Sequence, residues 1–432
     1  MAMTLEDNDL LTLTSPGTPM GGLMRQYWIP AVRAAALVAG EAPVKVRLLG
    51  ENFVAFRSPG GEVGLIEEAC AHRGASMALA RNEEGGLRCI FHGWKFDVTG
   101  RVIDAPAEPA DRRERFCNSL PVRRYQAREA GGILWVYLGQ GEAPPFPDFE
   151  FLHLGPDQVR PWRSVQPYNW LQGLEAHLDS SHVSFLHSGS LSPHTGQTEK
   201  HLRESVLRMT VDKAPKFEME ERPYGLREGA LRNMGDGTTY ARIRELVMPF
   251  HTFVPGPPDR QCSMRMTVPI DDETCADWYV LYDPARPLTE ETISAFYFSA
   301  APDPDNFAAN LGSSENNWGQ DREAMKNGHF SGLLRSISFE DFVVQASMGP
   351  RYDRSKELLG SADAVIVKAR SMLLKAARDY AADRSVRWAR GFDYRAVRAR
   401  SVTFPHTENW RDYAWPDPVD RCEPPAERAA AS

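Results

Sequence analysis

The chain has 432 residues, 42% hydrophobic and 25% charged, with 50 Lys+Arg against 58 Asp+Glu for a formal charge of −8. That suffices for a sizeable core over two or three domains and excludes a disordered chain, while the acidic balance lacks the positive footprint that nucleic acid or an anionic membrane requires. No stretch approaches the roughly eighteen apolar residues of a membrane span, and the opening Met1-Ala2-Met3-Thr4-Leu5-Glu6-Asp7 is acidic where a secretion signal is basic, so a cytoplasmic protein is expected.

From Val44 to Leu138 short β-rich runs alternate with turn signals: Val44 to Leu49, Asn52 to Arg57, Val63 to Ile66 after Ser58-Pro59-Gly60-Gly61, Leu87 to Phe91, Trp94 to Asp97, Arg101 to Ile103, and Ile133 to Leu138 after Gly131-Gly132. This pattern predicts a small antiparallel β domain. Gly139 to Pro147, with Pro144, Pro145 and Pro147, reads as the linker out of it. Beyond it the periodicity becomes helical over Asn169 to Leu186, then strand-like over Ser205 to Val211, Thr239 to Leu246, Met264 to Ile270 and Trp278 to Tyr282, and helical again over Phe339 to Ala346 and Ala362 to Ala382. The overall class is therefore α+β, an antiparallel sheet with segregated helices. The tail Pro424 to Ser432 has little to dock and is expected to be mobile.

Two constellations carry chemistry. Cys70-Ala71-His72 and Cys89-Ile90-Phe91-His92 place one Cys and one His in each of two loops, the ligand set in which one iron of a [2Fe–2S] cluster takes two thiolates and the other two imidazoles. Zinc is a poorer match, because its usual first knuckle holds two cysteines. Cys117, Cys262, Cys275 and Cys422 lack such partners and read as core residues or free thiols; six scattered cysteines make no disulfide framework.

The second constellation is Asp179-Ser180-Ser181-His182-Val183-Ser184-Phe185-Leu186-His187. On an ideal helix Asp179 and His182 share a face, whereas His187 lies roughly 140° further round, so the helix must end or bulge if both histidines meet one metal. Two histidines and a carboxylate on one face of an iron, with open positions for O₂, form the facial triad of non-haem oxygenases. Asp341, on the apolar stretch Ser338 to Gln345, is the expected carboxylate, with Glu340 its neighbouring rival. Taken alone, the segment reads equally as a solvated face with capping roles, and His177 as an ordinary histidine. A one-electron relay feeding an O₂-activating iron makes sense of both constellations.

With Pro16-Gly17-Thr18-Pro19-Met20, Arg25-Gln26-Tyr27-Trp28-Ile29-Pro30, Asn169-Trp170-Leu171, Met348-Gly349-Pro350 and Asp353-Arg354-Ser355, the two constellations resemble the oxygenase subunit of the Rieske non-haem iron ring-hydroxylating oxygenases, most closely the phthalate dioxygenase-like branch. The resemblance implies a Rieske [2Fe–2S] domain over 27–140, a helix-grip catalytic domain over 141–423, an N-terminal segment 1–26 packed on the latter, and the tail 424–432. It implies that Cys70, His72, Cys89 and His92 hold the cluster and that His182, His187 and Asp341 hold mononuclear Fe(II). It further implies a homotrimer, single or stacked, in which Asp179 bridges a neighbour's cluster histidine to His182. Ala71 departs from the family's frequent proline, and Glu175 from the asparagine of other branches. The chain has no flavin or nicotinamide fingerprint, so a separate reductase is expected.

The substrate class rests on cations. Tyr240, Arg242 and Arg244 alternate onto one strand face, and Arg208 is an isolated charge in an apolar run. Guanidinium forks suit carboxylates and the branch favours carboxylated aromatics, so an aromatic acid is expected; the same arginines would otherwise be solvated or paired with Glu204, Glu218 or Glu245. Ser180 could add a hydrogen bond to substrate or bond its own backbone. Cis-dihydroxylation is the leading reaction, monooxygenation such as O-demethylation of a methoxylated aromatic acid the second, and an electron-transfer or ligand-binding protein with an inert second site the third.

Overall fold

The computed structural model describes residues 3–189, 207–255, 262–290, 292–293, 303–307, 311–388, 391–417 and 419–420. Cys422, Glu204, Ser205 and the tail therefore lie outside the described residues. The chain forms two compact units, Thr14–Phe146 and Met1–Leu13 with Pro147–Ser432. Residues 1–26, expected as one segment, are divided between them after Leu13.

In the smaller unit β1 (Trp28–Arg33) pairs with β10 (Ile133–Tyr137), which pairs with β9 (Gln126–Ala130). A second sheet joins β2 (Val44–Leu48), β3 (Glu51–Arg57) and β4 (Val63–Glu67), and a third joins β5 (Arg81–Glu83), β6 (Gly86–Arg88), β7 (Lys95–Phe96) and β8 (Val102–Asp104). All ladders are antiparallel, as the glycine-punctuated short runs require. Val54, Phe56, Ile66, Met77, Leu87, Phe96 and Val102 form a core that also buries Cys70 and Cys89. A short helix, Arg113–Ser119, adds Cys117 to this core and was not signalled by periodicity.

The larger unit holds an eight-stranded sheet in the order β11 (Val159–Gln166), β17 (Cys275–Tyr282), β16 (Cys262–Pro269), β15 (His251–Phe253), β14 (Thr238–Val247), β13 (Gly225–Asn233), β12 (Lys216–Arg222), with Arg400–Pro405 also pairing β14. Every ladder is antiparallel. The run expected as a strand over Ser205 to Val211 is instead helical at residues 207–211. There the spacing of Leu207 and Val211 suits a helical turn as well as a strand, and a run this short cannot distinguish them.

One face of the sheet is covered by the helix Trp170–Leu178. Asn169 caps it, its side chain accepting from the Leu171 N–H at 3.1 Å and donating to the Thr12 and Asp272 carbonyls. Trp170, Leu174 and Leu178 follow the four-residue spacing of one helix face and are buried. Gly173 lets the helix lie close: a Cβ there would sit 2.9 Å from Thr267 Cγ2 and 3.2 Å from Asp277 Oδ1. The helix Ala364–Asp383 buries Val365, Ala369, Leu373, Ala376 and Tyr380 along a similar stripe. No helix among the described residues is long and apolar enough to cross a membrane.

Replacing Gly173 by valine should overpack this contact and cost about 1–3 kcal/mol, read as a lowered denaturation midpoint. An unchanged midpoint would mean that the helix does not lie this close to Thr267.

Candidate metal centres

The two cysteine loops are built alike. The Cys70 N–H donates to the Ala75 carbonyl and the Cys89 N–H to the Trp94 carbonyl, both at 2.8 Å, while the Gly74 and Gly93 N–H groups return to the Cys70 and Cys89 carbonyls at 2.8 and 3.0 Å. Both turns need φ near +75°, which Gly74 and Gly93 supply. The loops bury the two thiols and leave His72 and His92 half-buried, with ring centroids 4.5 Å apart and Trp94 stacked on His72 at 4.6 Å. Burial pushes the Cys70 thiol up to about 11, and the facing Cys89 adds to the shift. Such thiols ionise readily only beside a cation, which two paired thiolates and two imidazoles are suited to hold as a cluster.

In the larger unit the covering helix ends at Leu178, with Asp179 extended at its C-cap, and the chain turns through two 3₁₀ segments, His182–Ser184 and Leu186–Ser188. The helix expected to run on to Leu186 with Asp179 and His182 on one face thus ends before either histidine, and the two histidines stand on two successive short turns instead. This arrangement brings His182 Nε2 to 3.4 Å and His187 Nε2 to 3.1 Å from Asp341 Oδ1, a group whose ligand atoms all lie within 4.8 Å of one another. Asp341 comes from the helix Ile337–Ser347, capped by Ser336.

Each histidine is also held from behind. His182 Nδ1 lies 3.2 Å from Asp179 Oδ2, and His187 Nδ1 lies 2.7 Å from Glu340 Oε2, with Ser331 Oγ donating to the other Glu340 oxygen. Glu340, weighed in the sequence only as a rival ligand, thus lies behind His187 while its neighbour Asp341 meets both Nε2 atoms. Burial would raise the Asp341 carboxyl, but His187 and His182 hold it at about 2. Burial would lower His187, but Asp341 and Glu340 raise it to about 9. Three carboxylates around two imidazoles form a hard, negatively charged set that suits a divalent cation, with Nδ1 orientation of both rings already fixed.

The sequence comparisons cover both units of the chain. Residues 27–126 match the Rieske [2Fe-2S] domain, and residues 136–427 match the LigXa C-terminal domain like family. The chain is 36% identical over 400 residues to the 3-chlorobenzoate-3,4-dioxygenase oxygenase subunit of Comamonas testosteroni, covering 89% of this chain and 90% of the relative. The chain belongs to the Rieske non-haem iron ring-hydroxylating oxygenases, as an oxygenase subunit. It is 34% identical to the phthalate 4,5-dioxygenase oxygenase subunit of Pseudomonas putida, over 95% of this chain and 94% of that one. It is 30% identical to the 5,5'-dehydrodivanillate O-demethylase oxygenase subunit of a Sphingobium strain, over 86% and 80%. The terminal oxygenase of carbazole 1,9a-dioxygenase from Novosphingobium shares the fold, with a TM-score of 0.56 at 19% identity over 86% of this chain and 95% of that one. This oxygenase therefore carries a Rieske [2Fe–2S] domain and the mononuclear iron of its family, and takes electrons from a separate protein.

The residues singled out for substrate fare unevenly. Arg208 is exposed on its helical turn and donates to Thr403 Oγ1 at 2.9 Å, so it does not stand on a lining strand. Arg244 is buried but pairs with Glu228 at 2.9 Å and donates to the His177 carbonyl, so its charge is already met. Ser180 is 1% exposed; its carbonyl accepts from Arg232 Nη2 at 2.8 Å and its Oγ lies 3.4 Å from Nη1, so the residue serves to pin the turn after the helix. Arg242 is buried, with Nη1 2.7 Å from Met209 Sδ and Nη2 donating to the Pro255 carbonyl at 3.2 Å, and forms no ion pair among the described residues. His177 is buried, bonded to Thr267 Oγ1 at 3.3 Å, and its deep burial holds it well below the usual histidine range.

Glu175 pairs with arginines rather than with His182, His187 or Asp341. Burial would raise its carboxyl, but Arg354 at 3.0 Å and Arg370 at 2.6 Å hold it below its ordinary value, and Arg370 continues to Glu357. This network ties the covering helix to Arg354 and to the Ala364–Asp383 helix. Glu340 entered the sequence reading only as a rival ligand, although two adjacent carboxylates on an apolar helix were a visible signal of a second, bracing contact. Glu340→Ala should weaken Fe(II) binding at the mononuclear site about 10–100-fold in anaerobic titration while the cluster spectrum persists. Unchanged Fe(II) affinity would remove Glu340 from the support of His187.

Proposed function

We propose that this oxygenase hydroxylates a carboxylated aromatic by cis-dihydroxylation, at Fe(II) held by His182, His187 and Asp341, with electrons from a cluster held by Cys70, His72, Cys89 and His92. The observation that carries the substrate class is the set of arginines without a paired carboxylate on the helix-facing side of the sheet. On the helix-facing side of the sheet, Arg232, Arg242 and Arg265 form no ion pair among the described residues, and only Arg244 meets a carboxylate. An anionic substrate supplies the missing charge. The relatives named for 3-chlorobenzoate and phthalate support the same class.

Iron bound at two histidines and one carboxylate would supply O₂ activation at its open positions. The chain's own residues do the rest. Asp179 and Glu340 hold the rings so that both Nε2 atoms face one point, and Val183, Met209 and Ile337 pack with Tyr240 into an apolar patch suited to an aromatic ring. We further propose a homotrimer, single or stacked, in the cytoplasm, in which Asp179 carries the electron path from a neighbour's cluster histidine to His182. O-Demethylation of a methoxylated aromatic acid is the second reading, favoured by the likeness to the dehydrodivanillate O-demethylase subunit.

A mass-spectrometric product screen with a surrogate reductase and O₂, over phthalate, chlorobenzoates, methoxybenzoates and uncharged arenes, separates these readings. Gain of two oxygens and two hydrogens on an acid is expected; loss of a methylene unit would establish demethylation, and reaction of uncharged arenes alone would overturn the carboxylate assignment. The enzyme should hold about three irons per chain, two in the cluster and one mononuclear, whereas an inert second site leaves about two. Asp179→Asn should keep that iron content and normal cluster reduction, yet lose substrate-dependent cluster reoxidation by at least about tenfold, the effect of roughly 1.4 kcal/mol on a barrier. Wild-type reoxidation in this variant would remove Asp179 from the electron path.

A further inference from the structure

The two carboxylates behind the histidines are held in different ways. Asp179 is fixed within its own turn, where its Oδ1 accepts from the Ser181 N–H at 2.6 Å. Glu340 has no local donor of this kind. Its side chain is 0% exposed, and each of its oxygens meets one partner among the described residues, Oε2 meeting His187 Nδ1 and Oε1 meeting Ser331 Oγ. A carboxylate buried this deeply depends on every donor it has, because an oxygen left without one has no water to turn to.

Ser331 belongs to a segment laid against the turn that carries His187. A Cβ on Gly189, the residue after the Leu186–Ser188 turn, would lie 2.7 Å from the Phe330 backbone nitrogen and 2.8 Å from His329 Nδ1, so only glycine lets the two segments lie this close. The Phe330 and Phe185 rings meet nearby, with centroids 6.2 Å apart. Residues 320–324 hold the segment in turn. Gln320 Nε2 donates to the Ser331 carbonyl at 2.6 Å, the Asp321 N–H to the Gly332 carbonyl at 2.8 Å, and the His329 N–H to the Ala324 carbonyl at 2.9 Å. Gly332 takes φ +70°, and a Cβ there would meet the Asp321 carbonyl oxygen at 2.5 Å.

These bonds decide where the Ser331 hydroxyl sends its hydrogen. Its oxygen accepts from the Leu333 N–H at 3.2 Å, and His329 Nδ1, 3.5 Å away, already accepts from the Gly332 N–H at 3.0 Å. The hydrogen is left for Glu340 Oε1. With both oxygens accepting, Glu340 takes the Nδ1 hydrogen of His187, and Nε2, 3.1 Å from Asp341 Oδ1, is the nitrogen left to bind a metal.

We propose that Ser331 is a positioning residue of the mononuclear iron site: its one hydroxyl, presented by residues 329–333, holds Glu340 in the place and polarity that aim His187 at Fe(II). This role rests on the iron-site reading above and extends it to a segment that carries no ligand.

The test is a double-mutant cycle read as Fe(II) affinity, by anaerobic titration of protein with its cluster intact and its mononuclear site emptied by chelation. Ser331→Ala should weaken Fe(II) binding about tenfold. In a Glu340→Ala background the same change should alter affinity by less than about twofold, because the hydroxyl no longer has a carboxylate to hold. A general loosening of the segment would weaken binding equally in both backgrounds, so an equal loss overturns the proposal, as does wild-type affinity in Ser331→Ala. If Ser331→Ala fails to fold, Ser331→Cys, which exchanges the hydroxyl for a weak donor, takes its place in the cycle under the same criteria. A wild type that takes up no Fe(II) defeats the iron-site reading and this role together, whereas a wild type that binds Fe(II) beside variants without coupling defeats the role of Ser331 alone.

Discussion

Two imidazoles, each clasped between two carboxylates, set the terms for the larger unit. His182 lies between Asp179 and Asp341, and His187 between Glu340 and Asp341, with Glu340 fully buried. Three carboxylates so close together in a largely buried setting repel one another and lose hydration, and only positive charge in the middle offsets that. The arrangement therefore demands a cation, and it demands backbone elements that hold five side chains against their own repulsion. The covering helix stops at Leu178, the chain tightens into two short turns, and a helix more than a hundred and fifty residues further on supplies both Glu340 and Asp341.

Holding that geometry falls to the interface between helix and sheet. Gly173 permits a close approach, Asn169 fixes the start of the helix to two carbonyls, and Arg244 and Arg232 reach from the sheet to the His177 and Ser180 carbonyls at its end. Arginine suits this task because its fork satisfies the unpaired carbonyls of a helix terminus while carrying charge toward the C-terminal, negative end of the helix dipole. On the opposite flank Glu175 draws in Arg354 and Arg370. A buried pair of this kind contributes little net stability, but breaking it leaves an uncompensated charge, so it restricts the helix to one position.

What the sequence made legible follows from how local each signal is. The cluster ligands were readable because each loop is closed by its own glycine and carries a Cys and a His within four residues. That one helix could not carry both His182 and His187 was readable from 3.6-residue geometry, but where it stops, at Leu178, was not. Asp341 was separable from Glu340 only as a choice between neighbours, whereas about 100° of helix rotation gives each its own task, one toward the metal and the other behind His187. The pairing of β1 with β10 joins segments about a hundred residues apart and leaves no local trace. Arg208 misled because an isolated charge in a short apolar run fits a helical turn as well as a strand.

The two carboxylates that orient the histidines are alike in chemistry and opposite in accessibility. The Glu340 side chain is sealed at 0% exposure and linked to Ser331, so it can only brace His187. The Asp179 side chain is 25% exposed; it stands at the very end of the helix, its backbone is extended, and one oxygen accepts from the Ser181 N–H at 2.6 Å while the other faces His182. Burial would raise its carboxyl, yet the bonds to His182 and Ser181 keep it below the ordinary range, so it stays an acceptor. A carboxylate fixed to His182 and a quarter exposed keeps lone pairs to offer a donor from outside the chain. Such an opening is what the proposed bridge to a neighbouring cluster histidine needs, and a residue serving only to orient His182 would gain nothing from it, as the sealed Glu340 shows.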